Sequence, residues 1–337
     1  MKFRKKPAFI FLMLALSLSF LVKGQDVRLS QPFTNILNLN PAMMGGNGDL
    51  SAMLNHRSQW ASVNSGYKTY NLNVLYPYFL KNGNSKLDFG LGVRKRTQGA
   101  FDNLDAGLSV GYQLKLNDAG HYLSAAIQAS YNQSSLDVSS LTFDDQYVQG
   151  AFSSGNMTTD NIANNKISYL NSAVGLMWYF SPDSGNGNLH AYFGVSVFNL
   201  NKPNESYTNS NSPLPIRQSY QTGIKIVTEG KVDFSPHLIY QSQGGSEELA
   251  AGLYVDYLIN DDMTATLGGW YRKDNSTAVI VGFRWTDFAL GYSYDLLTSN
   301  LNSSVKGLTT HEISLSYRLN MAARKGVNFM PLAIGRY

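Results

Sequence analysis

The sequence predicts an all-β chain, a transmembrane, outer-membrane antiparallel β-barrel of about 14 strands. Three observations predict it. Hydropathy alternates with a period of two, over segments longer than the strands of soluble proteins. Charged residues are 15% and aromatics 12%, with 21 Tyr and 30 Gly, whereas typical soluble domains carry roughly 25% charged residues. Past Val22 there is no apolar run near the roughly 20 residues that a helix needs to cross a bilayer, and mean hydropathy is −0.20.

Taken in order, the first element is an export signal. Lys2, Arg4, Lys5 and Lys6 form a basic start, residues 8–22 an uncharged apolar run, and Val22-Lys23-Gly24 a short-residue cleavage point. Residues 1–24 are read as a signal peptide, with Gln25 as the first mature residue. The apolar run is too short to span a bilayer as a helix. Five of the 27 Lys and Arg (Lys2, Arg4, Lys5, Lys6, Lys23) and none of the 23 acids lie in this segment, so 22 basic residues face 23 acidic ones in the mature chain. The formal charge of +4 therefore belongs to the signal and gives no reason to expect nucleic acid. With no cysteine, neither a lipoprotein anchor nor a disulfide framework is available.

Residues 25–48 contain Ser30-Gln31-Pro32-Phe33, Asn38-Leu39-Asn40-Pro41-Ala42 and Gly45-Gly46, whose Pro, Asn and Gly break regular structure. Two placements are open to this segment, in the lumen as a partial plug or at the periplasmic rim. The barrel follows over 49–320. Its strands are expected near 49–60, 67–76, 87–96, 103–116, 119–133, 166–180, 188–199, 216–228, 231–241, 246–259, 263–273, 276–285, 286–294 and 309–320. In one of them Leu104, Ala106, Leu108, Val110, Tyr112, Leu114 and Leu116 share a face opposite Asp105, Gly107, Ser109, Gly111, Gln113 and Lys115. An apolar face for lipid and a small or polar face for a lumen is the membrane-barrel pattern. Leu253, Val255, Leu290 and Leu315 are placed on the lipid face, and Ser109 and Ser314 on the lumenal one. Pro236 cannot donate to a ladder and suggests a bulge.

Loop lengths give a second argument. With the mature N-terminus in the periplasm, alternation puts the short turns on one side and the three longest loops, near 134–165, 200–215 and 295–308, on the other, as in bacterial barrels. Residues 321–337, a tail with Arg324-Lys325 and an apolar stretch from Phe329 to Ile334, then fall on the periplasmic side.

Enzyme chemistry finds no motif. The five histidines, His56, His121, His190, His237 and His311, include no H-E-x-x-H and no pair at metal-ligand spacing. His311 and Glu312 are adjacent in a strand and point to opposite faces. Asp144-Asp145 and Asp261-Asp262 lie outside any calcium-loop pattern, and no G-x-S-x-G is present. No cofactor or metal is predicted. The lumenal face carries Asp88, Arg94, Asp105, Lys115, Glu248, Asp256, Arg272, Arg284, Asp287, Asp295, Glu312 and Arg318. A selective pore tends to one sign of charge. This mixed set suits ion pairs or a bound plug better than a solute porin, which stays as the alternative function.

The end segments resemble a known family. Gln31-Pro32-Phe33, Asn40-Pro41-Ala42 and Gly45, followed by Arg57-Ser58-Gln59-Trp60, are similar to the opening of PorP/SprF proteins, where N-P-A-x-x-G precedes an R-x-Q-W strand. Gly269-Trp270-Tyr271-Arg272, Gly291-Tyr292-Ser293-Tyr294-Asp295, Thr298-Ser299-x-Leu301 and His311-Glu312-Ile313-Ser314-Leu315-x-Tyr317 resemble its closing stretch. The resemblance implies an outer-membrane component of the type IX secretion system, in a Gram-negative bacterium, that also serves gliding motility. It implies contacts with the periplasmic ring and peptidoglycan-associated subunits, and an adhesin-like surface cargo that is exported or held. The candidate structural or partner-contact residues are Asn40, Pro41, Ala42, Arg57, Trp60, Asp295, His311 and Glu312. Of these, Arg57, Trp60 and the Asn40-Pro41-Ala42 turn are expected to hold the N-terminal segment in place. For Trp60 an interfacial aromatic role, and for Pro41 plain turn formation, are equally compatible with the residues.

Overall fold

The computed structural model describes residues 29–60, 66–81, 83–148, 151–152, 165–182, 188–208, 210–273, 276–297 and 309–321. The expected signal peptide and all but the first residue of the expected tail lie outside them. Fourteen long strands form the wall: β1 (Asp49–Gln59), β2 (Tyr67–Phe79), β3 (Ser85–Gln98), β4 (Phe101–Lys115), β5 (His121–Leu136), β8 (Lys166–Phe180), β9 (Leu189–Phe198), β10 (Arg217–Ile226), β11 (Val232–Gln243), β12 (Ser246–Asn260), β13 (Met263–Arg272), β14 (Ser276–Trp285), β15 (Phe288–Leu297) and β16 (Thr310–Asn320). The intervening β6 (Tyr147–Val148) and β7 (Ala151–Phe152) pair with each other in the long β5–β8 connection, outside the barrel. Each wall strand is antiparallel to its neighbours in sequence. β1 closes the barrel on β16, from Asp49↔Asn320 to Gln59↔Thr310. Closure leaves no strand edge, the condition for backbone in a lipid core.

The alternation becomes two environments. Leu108 is 66% exposed on the outside while Ser109 is buried inside, and Leu253, Leu290 and Leu315 are likewise exposed. Exposed aromatics gather toward both rims. Tyr76, Tyr78, Tyr112, Tyr257 and Trp285 lie near one end of their strands, and Tyr70, Phe101, Tyr131 and Tyr271 near the other. This is the arrangement of interfacial aromatic girdles around an apolar band.

Several strands run further than periodicity alone suggested. β3 and β4 extend to Gln98 and Phe101 because Gly99, at φ 59°, turns the chain in two residues. Pro236 does not produce the expected bulge. The register of β11 is continuous against β12, and unchanged against β10 on either side of a gap opposite Ile224 and Lys225. The missing N–H interrupts a ladder without adding a residue to it. The irregularity in this region lies instead between Leu258 and Asn260 of β12. The connections 80–84, 116–120, 181–188, 227–231, 261–262 and 286–287 share one rim, here the short-turn end. The long connections 137–165, 199–216 and 298–309 share the other, the long-loop end. Asp287, expected in the lumen, is exposed in the 286–287 turn.

Candidate functional site

The lumen is occupied by the chain's own residues 29–48. From Asp49 at the short-turn end, the segment runs back through the barrel, so that Leu29 and Ser30 meet strand residues near the long-loop end. Pro32 and Pro41 each open a 3-10 turn, Pro32–Asn35 and Pro41–Gly46, with one α-helical turn, Ile36–Leu39, between them. Proline suits these starts because its fixed φ matches the helix and its absent N–H would have no partner there. No residue from Leu29 to Met44 is charged. Phe33, Ile36, Leu37, Leu39, Met43 and Met44 form a buried core with Leu75, Met177, Ile239, Trp270 and other inward wall residues. Phe33 sits 4.8 Å from the His237 ring and 6.0 Å from the Trp270 ring.

Asn40 fixes the middle of this plug. Its Oδ1 accepts from the Ala42 N–H at 2.9 Å, capping the Pro41–Gly46 turn. Its Nδ2 donates to the Leu176 carbonyl at 3.2 Å, the Val195 carbonyl at 3.2 Å and Gln221 Oε1 at 3.1 Å, tying it to β8, β9 and β10. The approach needs glycine in the wall, since a Cβ on Gly175 would lie 2.0 Å from Asn40 Oδ1. The Ala42 carbonyl accepts from Ser124 Oγ at 3.0 Å and Tyr179 Oη at 3.2 Å. Nearer the short-turn end, Lys86 is paired with Asp88 and donates to the Asn47 carbonyl at 2.9 Å. Orphan carbonyls of an irregular segment are thus satisfied by the wall, as burial requires.

Toward the long-loop end, four charges from four strands close over the start of the plug. Arg57 of β1 pairs with Asp295 of β15 at 3.0 Å and Glu312 of β16 at 3.1 Å, and Arg272 of β13 with Asp295 at 3.2 Å. The plug completes the set. The Ser30 and Gln31 N–H groups donate to the two Glu312 oxygens at 2.7 and 3.0 Å, and Ser30 Oγ meets both Asp295 and Arg57. Arg272 donates to the Leu29 carbonyl at 2.7 Å, and Ser314 Oγ to Gln31 Oε1 at 2.6 Å. All four charged side chains are buried. Two guanidiniums against two carboxylates make the cluster neutral, and its lone pairs and protons are largely used, the condition under which buried ion pairs persist.

Of the residues singled out from sequence, the fold therefore brings Arg57, Asp295 and Glu312 into one cluster and seats Asn40, Pro41 and Ala42 in the plug. Trp60 and His311 are elsewhere. Trp60, at φ 55°, ends β1 at the long-loop rim, with its ring 5.3 Å from that of Tyr67. His311 faces outward, its Nδ1 2.8 Å from Tyr292 Oη, while Glu312 faces inward. Among the described residues, Trp60 packs against Tyr67 and His311 against Tyr292 and Tyr294, and neither has a hydrogen bond or ring contact to residues 29–48. Sequence reasoning missed Asn55, Ser124 and Gln221 as plug contacts. Small or uncharged polar residues on an inward strand face give no signal of what they touch. The one feature of the sequence that fits a buried segment is that no residue from Leu29 to Met44 carries a charge. Some of the inward charges form neighbouring pairs: Arg94–Asp105 at 3.2 Å, and Lys225 with Asp233 at 3.3 Å and Asp256 at 3.4 Å.

A closed 14-stranded wall, lipid-facing outside and filled inside by the chain's own N-terminal segment, defines a plugged outer-membrane β-barrel of a Gram-negative bacterium. The model of one family, type IX secretion system membrane protein PorP/SprF, matches residues 21–317, and the chain belongs to that family. No curated protein matches it. Similar solved structures include the TodX deltaS2S3 mutant monoaromatic hydrocarbon channel, with a TM-score of 0.53 at 11% identity, covering 85% of this chain and 94% of that one. The P. putida toluene transporter TodX has a TM-score of 0.52 at 10% identity with the same coverage. A Pseudomonas aeruginosa FadL homologue has 0.51 at 10% identity, covering 83% and 92%. At such identities the likeness is one of fold.

Proposed function

We propose that this barrel is a scaffold of the type IX secretion machinery that supports export or surface holding of a cargo protein, and not a passive solute channel. The observation that carries the reading is the plug. A pore that conducts solutes needs an open or readily opened lumen, and here the middle of the lumen is a packed core with its polar groups paired to the wall. Family membership supports the secretion role. The barrel rule of short periplasmic turns orients the short-turn end toward the periplasm. That end, with the turn at Pro41–Gly46 seated just inside it, is then where periplasmic ring or peptidoglycan-associated subunits dock.

The test is deletion of the gene and complementation with the intact chain or with one lacking residues 38–45. Secretion of surface proteins is expected to fail on deletion and to return only with the intact chain, although both versions insert. Normal secretion on deletion, together with reduced uptake of small solutes, would overturn the reading in favour of a porin.

A further inference from the structure

The outer surface of the barrel carries a charge arrangement that neither plug nor lumen explains. On β2 and β3, Lys68 and Lys95 face outward at the long-loop end, and both are exposed. Lys95 stands directly opposite Tyr70, and Lys68 opposite Thr97. The two lysines are therefore diagonal neighbours on one face, roughly 7–8 Å apart at the backbone. Among the described residues neither makes an ion pair or a hydrogen bond.

Like charges so placed on neighbouring strands repel, and the sequence supplies no acid to offset them. Between Ser58 and Phe101 the one acid is Asp88, buried on the inward face near the short-turn end, and residues 296–311, which lead into β16, contain none. The outward acid of the next strand, Asp102 of β4, is opposite Thr97 and accepts from its Oγ1 at 2.6 Å. The flanking outward side chains are aromatic or imidazole. His56 of β1 stacks on Tyr70 with ring centroids 4.5 Å apart, and His311 of β16 meets Tyr292 and Tyr294. Further toward the short-turn end the same face becomes apolar, with Leu54 and Leu91 exposed. An aromatic belt marks the membrane–water interface, so the lysines lie at headgroup depth and the leucines at acyl-chain depth. A single lysine there needs no partner, because its stem can carry the ammonium into water. Two that converge with no acid between them make the arrangement that an anionic headgroup offsets.

We infer that the outward face of β1–β3 at the long-loop end binds lipid A of the outer leaflet, with Lys68 and Lys95 on a phosphate and the acyl chains along the apolar face below. Lipid A is the phosphorylated lipid that a barrel meets on its extracellular side, so the inference rests on the orientation given above, with the short-turn end in the periplasm.

The experiment uses the whole barrel, delipidated in detergent and offered equal amounts of bisphosphorylated lipid A and its dephosphorylated form. Bound lipid is read by native mass spectrometry. The phosphorylated form should be retained roughly tenfold or more over the other, since each lysine near an anionic headgroup is worth about fivefold. K68Q/K95Q should abolish the preference and K68R/K95R keep it. K166Q, which removes another exposed lysine at the same rim, should leave it intact. Heat-modifiable gel mobility checks that every variant is folded. Orientation is read separately. A Ser303→Cys variant of this cysteine-free chain should react with a membrane-impermeant maleimide on intact cells. Reaction in broken cells alone would place the patch in the inner leaflet and overturn lipid A as its occupant. Equal retention of the two lipids on the native barrel overturns the inference whatever the orientation, and so does a preference that survives in K68Q/K95Q or falls as far in K166Q.

Discussion

Glu312 is the residue on which the start of the plug depends. Its two oxygens take the N–H groups of Ser30 and Gln31, the Asn55 amide at 2.8 Å and the Arg57 guanidinium, at 1% exposure. Glu312→Gln keeps the shape but leaves two guanidiniums facing one carboxylate in a buried site. Breaking such a set by removing one partner costs about 3–5 kcal/mol. The expected result is a lower thermal midpoint of the folded barrel in detergent, read from its heat-modifiable gel mobility, with part of the loss recovered in the charge-balanced R57M/E312M double variant. An unchanged midpoint for E312Q would mean that the cluster is not under load. Gly175 makes the complementary case, where a missing side chain is the contact. Gly175→Ala would press a methyl group onto Asn40, at an overpacking cost of about 1–3 kcal/mol. Gly269→Ala, whose added carbon comes no nearer than 3.4 Å to the Ala278 carbonyl, should be silent. Amide hydrogen exchange over residues 30–46 is expected to speed up in the first variant alone, and equal rates in both would count against the close fit.

Among the elements, the strands obey two solvents at once. Leu108→Arg places a charge on the lipid face and is expected to lower the stability of the inserted barrel by about 2–4 kcal/mol if it lies near mid-membrane. Ser314 and Ser109 look from sequence like neutral lumenal controls, but both are buried, and Ser314 donates to Gln31. An arginine at Ser314 would evict the plug. Ser130, half-buried on the inward face of β5 and lining the cavity between the plug and the long-loop rim, is the control the structure supplies, and Ser130→Arg should insert with near-native stability in a urea titration in lipid vesicles. Equal damage at Leu108 and Ser130 would contradict the two-solvent assignment. The plug is an element of another kind. Its turns are too short to be stable alone, and its backbone is held by wall side chains.

For the whole molecule, wall and plug separate in role. The ladder from β1 round to β16 closes without any plug hydrogen bond, so a chain lacking residues 29–47 is expected to insert still. Its lumen would lose its packed core. Single-channel recordings in planar bilayers should then show stable openings that the intact barrel lacks, and identical conductance for the two chains would refute the idea that the plug closes the lumen. The wall is legible in the sequence because each strand states its own two faces. All fourteen expected wall strands are present, displaced at their ends by a few residues where turn glycines such as Gly99 extend a hairpin. The site was readable in part. Arg57, Asp295, Glu312 and Arg272 all stand within end segments that resemble the family, but only the first three are singled out as contact candidates.

Period-two hydropathy, low charge and turn spacing determined a transmembrane barrel, its strand count and which side chains meet lipid. These are local quantities, set by neighbours two residues apart on a pleated strand. Only the tertiary structure decided that residues 29–48 lie within the lumen and run toward the long-loop end, that their first residues are held by Arg57, Arg272, Asp295 and Glu312, and that Trp60 and His311 lie outside that cluster. Those outcomes rest on contacts between residues up to 283 positions apart. Closure of a cylinder brings such residues together, and no local pattern encodes which inward side chain will face which plug atom.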